Sequence, residues 1–398
     1  RPFSNHGGLG PLSFSQKEHM EWSPQQAEAL KKINRWATAK GGPQVMRVFG
    51  YAGTGKTTMA KEIASAVDGD VLFMTFTGKA ALVLRSKGCA GASTIHGAIY
   101  KPEEDPLTGY TEFKLNPDSD VKTAALVVVD EVSMVGPDIG TDLLSYGTKV
   151  LVLGDPFQLP PISGEGFFTA QAPDILLTEI HRQAADNPII RMSMEIREGR
   201  QLRPGQYGDS LVVRQRDIDK ESLRTMVLAA DQLLCGRNVT RQNFNRRVRE
   251  LRGIVGQPEA WMPTVGDRLV CLKNNRTKGL LNGGLWTVNK VGIKPSRDEA
   301  SGKFAMQVAS LDDPAAIIPV DVETPFPYFR GLEKEMDWRD RKKADEFCHG
   351  YALTVHKSQG SAWDNVLLFD ESSVFRDTSP NHLYTGITRA AEKVTVVV

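Results

Sequence analysis

The stretch Gly50-Tyr51-Ala52-Gly53-Thr54-Gly55-Lys56-Thr57 fits the pattern G-x-x-x-x-G-K-[ST], and nothing else in the chain restricts its possible folds so strongly. Glycines in such a loop let the backbone turn tightly, with its N–H groups facing inward around the phosphates of a nucleoside triphosphate. In this reading Lys56 reaches the β- and γ-phosphates and the Thr57 hydroxyl ligates Mg²⁺. The loop needs a strand before it and a helix after it. Val45–Phe49 reads as a short buried strand, and Thr58–Ala64 has helical spacing, so the triphosphate would face a helix N-terminus, where an anion is favoured.

A chain of 398 residues, 40% of them hydrophobic, can build two or three domains with real cores. No apolar run approaches the roughly 18 residues needed to cross a bilayer, and Arg1–Ser15 has neither the apolar stretch nor the cleavage pattern of a signal peptide. A start without Met suggests trimming or processing. Cys89, Cys235, Cys271 and Cys348 show no CxxC spacing, which predicts reduced thiols of a cytosolic protein and argues against a zinc site. With a net charge of +1, any groove for a polyanion must come from local arrangement.

Residues 1–20 are Gly/Ser/Pro-rich and read as a flexible segment. Ser23-Pro24 is an N-cap with Pro at the first helical position, opening an amphipathic helix that turns Ala29, Ile33 and Trp36 inward. Strands and helices then alternate, with β-branched runs at Val71–Thr75, Ala125–Val129 and Lys149–Leu153, which predicts a doubly wound parallel sheet over residues 21–165. That rhythm breaks at about 101–120, where Asp105-Pro106 and Thr108-Gly109 signal a protruding hairpin. A second α/β unit is expected over 166–255 and again over 347–398. Between its parts, 256–346 reads as an inserted small β-barrel with Asn282-Gly283 as a hairpin turn, followed by a solvated helix over the charged stretch Glu333–Glu346.

Leu126-Val127-Val128-Val129-Asp130-Glu131 ends a buried strand in two carboxylates. Phosphoryl transfer depends on positioning and charge neutralisation, so Asp130 is expected to hold Mg²⁺ and Glu131 to polarise the attacking water. After Leu151–Leu153 comes Gly154-Asp155-Pro156-Phe157-Gln158-Leu159-Pro160-Pro161, a stiff loop whose Gln158 amide can report the γ-phosphate without adding charge, or can be an ordinary turn residue. Arg237, Arg241, Arg246, Arg247, Arg249 and Arg252 lie on one helix whose inner face is Phe244, Val248 and Leu251. They read either as an electrostatic track or as a solvated basic face.

Taken in order, Gly50–Thr57, Thr75–Ala81, Ser93–Gly97, Asp130–Met134, Gly154–Pro161, Leu177–Arg182, Tyr351–Gly360 and Leu383–Ala390 resemble the motifs of superfamily 1B DNA helicases, the RecD-like group that includes the Dda-type phage helicases. The resemblance covers most of residues 23–398. It implies two RecA-like P-loop NTPase domains, an inserted β-hairpin pin, an inserted SH3-like β-barrel, and ATP with Mg²⁺ between the domains. It implies ATP contacts from Gln26, Gly50, Gly53, Thr54, Gly55, Lys56, Thr57, Thr58, His181 and Gly360, with Gln25 an equal-looking amide beside Gln26. Arg182 and Arg389 would stabilise transition-state charge from across the cleft.

Single-stranded DNA and its duplex junctions are the implied substrate, held by Phe76, Thr77, Lys79, Thr94, His96, Thr354, His356, Lys357 and Ser358. Tyr110 and Phe113 on the hairpin would either split the duplex or pack on their own domain. The implied activity is ATP-dependent 5′→3′ translocation and unwinding by a monomer in the cytoplasm of a bacterium or phage-infected host, with single-strand-binding or replication proteins as partners. Two positions depart from the group: Phe76 stands where Pro is usual, and Ala362 where many relatives carry an acidic residue. Alternatives are a Pif1-like helicase, an ATP-switched DNA-binding or loader module, and an RNA-directed helicase. No nuclease constellation is visible.

Overall fold

Leu126–Asp130 and Val150–Gly154 are buried along their whole length, as their unbroken apolar sequences require of strands covered on both faces. In the computed structural model the described residues are 22–104, 111–161, 166–179, 186–256, 258–275, 277–294, 302–313, 316 and 318–398. The expected flexible segment 1–20, Tyr110, His181 and Arg182 lie outside them.

The first sheet is built from β1 (Val45–Gly50), β2 (Val71–Thr75), β3 (Ser93–Thr94), β6 (Leu126–Asp130), β7 (Val150–Gly154) and β8 (Ile175–Leu177). Its order is β3-β2-β6-β7-β1-β8 and every pairing is parallel. Between β3 and β6, β4 (Tyr100–Glu104) and β5 (Thr111–Leu115) form an antiparallel hairpin of their own. Helix Pro24–Thr38 starts with a capping box: Ser23 Oγ accepts from the Gln26 N–H while the Gln26 side chain accepts from the Ser23 N–H. Its Ala29, Ile33 and Trp36 share one apolar cluster with Met59 and Ile63 of helix Lys56–Ala66, on one side of the sheet. Ile175–Leu177 corrects the expected division at residue 166. Only three residues long, it carries no periodicity, and its pairing with β1 assigns it to the first sheet.

Beyond it, β9 (Gly205–Tyr207), β10 (Ser210–Val213) and β11 (Gln232–Cys235) precede an insertion of β12 (Arg268–Cys271), β13 (Leu285–Lys294), β14 (Lys303–Ser310), β15 (Val320–Pro325) and β16 (Phe347–His349). The chain then returns as β17 (Ala352–Thr354), β18 (Trp363–Phe369) and β19 (Ala390–Val397). The second sheet runs β17-β11-β18-β19-β10-β9, parallel except at the β10–β9 edge. The inserted strands form a five-stranded antiparallel sheet ordered β15-β14-β13-β12-β16. Phe347–His349, expected in the second α/β unit, pairs with β12 instead. Gly350 lets the chain pass from one sheet to the next, since a Cβ there would come within 2.8 Å of the Leu269 backbone. The charged stretch after β15 is less regular than expected, with a 3-10 turn at Glu333–Glu335 and a short helix at Trp338–Lys343. All four cysteines are buried free thiols.

Helix Asn238–Leu251 ties the insertion to the second sheet. Phe244, Val248 and Leu251 pack inward, but Arg241, Asn245 and Arg249 are buried as well, which corrects the reading of a purely solvated basic face. Arg249 pairs with Asp267 through two 2.9 Å contacts, and the Tyr351 hydroxyl donates to the same carboxylate at 3.0 Å. Periodicity alone did not reveal this, because the carboxylate lies in the insertion.

Burial pushes two histidines, His349 and His382, down to about 4. His382 stacks on Phe375 at 4.2 Å, and neither of its ring nitrogens has a hydrogen-bond partner. A folded-state value below the unfolded value of about 6.5 means that the unfolded chain binds more protons between the two, so this stability is full above about 6.5 and is lost as pH falls toward 4. At pH 5 each such histidine should cost about 2 kcal/mol by linkage. Urea unfolding of His382→Phe, which keeps the stack, should show a loss between pH 7 and pH 5 smaller by about that amount. An unchanged loss would show that His382 does not titrate differently on folding.

Candidate active site between the two parallel sheets

Gly55 takes the left-handed conformation as N-cap of helix Lys56–Ala66, so the loop after β1 turns directly into a helix start. Lys56 Nζ donates to the carbonyls of Gly50 (2.6 Å) and Tyr51 (3.0 Å), folding its ammonium back across the loop. Thr57 Oγ1 donates to Asp130 Oδ2 at 2.8 Å, joining the loop to the end of β6. The other Asp130 oxygen accepts from the Glu131 N–H at 2.9 Å. Glu131 has φ 56° and ψ 47°, a left-handed conformation that non-glycine residues seldom adopt and that recurs at functional sites. Burial raises the Asp130 carboxyl above its ordinary range and the Glu131 charge adds to this, while the Thr57 hydrogen bond and Lys56 oppose it.

These residues line one cavity of about 580 Å³. Gly53, Gly55, Lys56, Thr57, Thr58, Asp130, Glu131 and Gln158 come from the first sheet's loops, and Gly360, Thr388 and Arg389 from the second's. Gln158 Oε1 is buried without a hydrogen-bond partner. Arg389 is anchored in its own unit, donating through Nε to the Thr385 carbonyl (3.1 Å) and through Nη1 to the Ser361 carbonyl (3.2 Å). Gly360 has φ +74°, and a Cβ there would lie 2.9 Å from Ala80 Cβ and Thr77 Oγ1, so the second unit closes on the first at a position that only glycine suits. Oxygen donors such as the Thr57 hydroxyl and Asp130 carboxylate suit a hard cation such as Mg²⁺.

Gly50, Thr54 and Gln26 support the loop from behind the cavity. Thr54 Oγ1 donates to the Tyr51 carbonyl at 2.9 Å, and Gln26 Nε2 donates to the Thr54 carbonyl at 3.0 Å. The two neighbouring amides therefore differ: Gln26 braces the loop, while Gln25 binds the Leu176 carbonyl, Thr178 and the Glu179 N–H after β8.

Tyr384 is the residue that sequence reasoning missed. Its hydroxyl donates to Asp155 Oδ2 at 2.6 Å and accepts from the Ala52 N–H at 2.9 Å, so one oxygen from helix Ser379–Ile387 joins the phosphate loop to the loop after β7. Thr385 Oγ1 accepts from the Leu159 N–H (3.0 Å), Asn381 donates to the Phe157 carbonyl (3.0 Å), and Gln359 donates to the Leu159 carbonyl (2.9 Å). Gln158 thus sits in a loop held at residues on both sides by the second unit. Tyr384 lies within the motif Leu383–Ala390, but its partners are hundreds of residues away. Burial raises both the Asp155 carboxyl and the Tyr384 hydroxyl above their ordinary values.

The residues expected along a nucleic-acid path divide into several environments. Thr77 caps helix Gly78–Ser86 and Thr94 caps helix Ile95–Ile99 with their hydroxyls, and Thr354 Oγ1 accepts from the Lys357 N–H. Ser358 is buried and donates to the Val355 carbonyl. Phe76 is packed against the apolar cluster that includes Met74 and Ile95. His356 lies beside Phe375 and His382, and burial lowers its pKa. His96 meets the rings of Tyr100 and Phe113, each at 4.7 Å, so Phe113 leans on its own unit while remaining 50% exposed. Lys79 is buried, paired with Asp312 of the insertion at 3.2 Å and lying 4.5 Å from the Trp363 ring centroid.

Comparison with known proteins agrees with this geometry. A family described as AAA domain matches residues 21–217, and one described as UvrD-like helicase C-terminal domain matches residues 349–397. The chain is 28% identical to the ATP-dependent RecD2 DNA helicase of Deinococcus radiodurans, over 98% of this chain and 51% of that protein. It is 25% identical to a conjugal transfer protein TraA of Rhizobium radiobacter, over 98% of this chain and 34% of that one. The chain thus spans about half or less of the length of these curated relatives. Among solved structures, Bacteroides Pif1 bound to ssDNA is similar in fold, with a TM-score of 0.53 at 19% identity over 94% of this chain and 92% of that one. A structure of Pif1 helicases at forked dsDNA gives 0.54 at 19% identity, with the same coverage.

Tyr384→Phe removes one hydroxyl and leaves both Asp155 Oδ2 and the Ala52 N–H without it. The expected cost is about 1–3 kcal/mol of stability, read by urea unfolding, as for other buried groups left unpaired. A loss below about 0.5 kcal/mol, within the range of neutral surface changes, would show that the bridge does not hold the two units together.

Proposed function

We propose that this chain, which belongs to the RecD-like helicases of superfamily 1B, is an ATP-dependent 5′→3′ single-stranded DNA translocase that unwinds duplex DNA. The observation that carries the reading is the single cavity to which both parallel sheets contribute, Lys56, Thr57, Asp130, Glu131 and Gln158 from one side and Gly360, Thr388 and Arg389 from the other. A triphosphate in such a site bridges the two units, so its hydrolysis changes how they are held together.

Lys56 exchanges its carbonyl partners for the β- and γ-phosphates. Thr57 and Asp130 fit Mg²⁺, which when bound supplies charge neutralisation between the phosphates. Glu131, held at the strand end, orients and polarises the attacking water. The unpartnered Gln158 oxygen accepts a hydrogen bond from that water. Arg389 stabilises developing charge on the γ-phosphate, with Arg182 in the same role. The base is assigned to Gln26 and His181. Gln26 retains one amide hydrogen and one oxygen lone pair beyond its bonds to Thr54 and Ser23.

The division into two RecA-like domains is kept, with the first boundary moved past β8 and the second domain resuming after β16 instead of at 347, to follow the strand pairing. The antiparallel sheet of the insertion supports an SH3-like reading, and the β4–β5 hairpin supports a pin. DNA is assigned to Phe76, Thr77, Thr94, His96, Thr354, His356, Lys357 and Ser358, with the helix starts capped by Thr77 and Thr94 favouring phosphates. Lys79 joins them on exchanging Asp312 for a phosphate. Phe113, and Tyr110 beyond the described residues, meet the first base pair.

Lys56→Ala should abolish ATP hydrolysis, measured by phosphate release, and leave single-stranded DNA binding within about threefold, since a uniform binding interaction and a transition-state interaction are separable. Near-normal turnover would remove the site assignment. Duplexes with a single-stranded tail at one end decide polarity: unwinding is expected with the 5′ tail, and activity confined to the 3′ tail would overturn the direction.

A further inference from the structure

A second cavity, of about 340 Å³, lies between helix Asn238–Leu251 and the inserted sheet, apart from the nucleotide cleft. Four arginines line it, Arg241, Arg246, Arg249 and Arg330, together with Trp261, and no carboxylate side chain does. Arg249 is neutralised by Asp267. The other three form no ion pair among the described residues. Arg241 is only 8% exposed, and its Nε has no hydrogen-bond partner. Burying a guanidinium with an unanswered donor is costly unless something supplies the acceptor.

The indole of Trp261 is half-buried, edge-packed on Phe304 and Phe326, with the Arg330 guanidinium 5.5 Å from its centroid. An aromatic ring beside several guanidinia, one of them buried with an open donor, suits a nucleotide, with the phosphate on the arginines and the base on the ring. The site also adjoins the proposed DNA path. Arg241 Nη1 donates to Cys348 Sγ, and Asn245, which also lines the cavity, donates to the carbonyl of Ala352 on β17, the strand that ends at Thr354.

We infer that this cavity is a phosphate-and-base subsite for the DNA strand, extending the path from Lys357 onto the inserted unit. The inference rests on the DNA reading above. It gives the insertion a direct part in holding the strand and assigns a ligand to the basic helix, most of whose exposed arginines lie away from the cavity. Arg246 and Arg330 are exposed, so replacing both leaves the core intact.

The test compares wild type with the Arg246→Ala/Arg330→Ala double variant by fluorescence anisotropy, using oligo(dT) of about 6 and about 15 nucleotides, which bracket single-strand site sizes. For the longer oligomer the variant should bind about tenfold more weakly, and the slope of log affinity against log salt should fall by about 1.4, two phosphate contacts at roughly 0.7 each. The shorter oligomer should be unaffected. Trp261→Ala should weaken the longer oligomer several-fold without changing the salt slope, and unchanged affinity there would remove the base-stacking half.

Double-variant affinity equal to wild type at both lengths, or equal losses at both, would overturn the extension. A parallel titration with dTMP distinguishes a free nucleotide: dTMP binding lost while oligomer binding is kept would assign the cavity to the mononucleotide and overturn the strand assignment. If wild type binds neither oligomer, the DNA reading itself fails, and this inference falls with it.

Discussion

One phenolic oxygen of the second unit bonds to two loops of the first. Tyr384 gives its proton to Asp155 and takes one from the Ala52 N–H, so the phosphate loop, the loop after β7 and a helix of the second unit meet at a single atom. Burial of Tyr384 and Asp155 makes that meeting stringent, because either partner left alone would keep a polar group in a place that water does not reach. The remaining cross-cleft bonds, from Thr385, Asn381 and Gln359 to backbone atoms of residues 157–159, attach to the same loop. A displacement at the phosphate loop therefore acts on the second unit through bonded atoms, and Gln158 lies between the attachment points.

The same economy of polar groups shapes the chemistry. Asp130 is buried beside Glu131, an arrangement that disfavours charge on Asp130, and the Thr57 hydroxyl, the Lys56 ammonium and the Glu131 N–H counter it. Glu131 is held in a backbone conformation that its residue type disfavours. Gln158 keeps an unpartnered oxygen. Each is unfavourable in a protein taken by itself, and all three face one cavity that also receives Arg389 from the other unit. Groups held at a cost yet convergent on one cavity are what a site prepared for a charged ligand looks like before the ligand is considered.

Legibility in the sequence followed the range of the interaction. The phosphate loop, the capped first helix and the apolar strands β1, β2, β6 and β7 are local patterns, and each could be read from residues a few positions apart. Strand β8 could not, since three residues carry no period and its place depends on β1, more than a hundred residues earlier. Strand β16 failed for the same reason, its partner β12 lying on the far side of the insertion. Arg241 and Arg249 looked like parts of a solvated stripe because helical periodicity distinguishes faces but not what covers them. Motif spacing pointed to Arg389 and Gly360, while Tyr384 carried no signal of its own: a tyrosine within a helix is an ordinary apolar residue until Asp155 and Ala52 are placed beside its hydroxyl.

The insertion is more than an appendage to the second unit, and Lys79 shows why. Lys79 lies in the first turn of helix Gly78–Ser86 of the first unit, its counter-charge Asp312 belongs to the insertion, and the ring beside its ammonium, Trp363, belongs to the second unit. Asp312 also accepts from the Leu285 N–H, which fixes the carboxylate within the inserted sheet. Next to Lys79, a Cβ on Gly78 would collide with Leu281, so the contact is steric as well as electrostatic. A buried ammonium cannot give up one anion without gaining another, because burial already holds its pKa down. The Lys79–Asp312 pair therefore fastens the insertion to the first unit at a buried charge, beside the steric contact of Gly78 with Leu281.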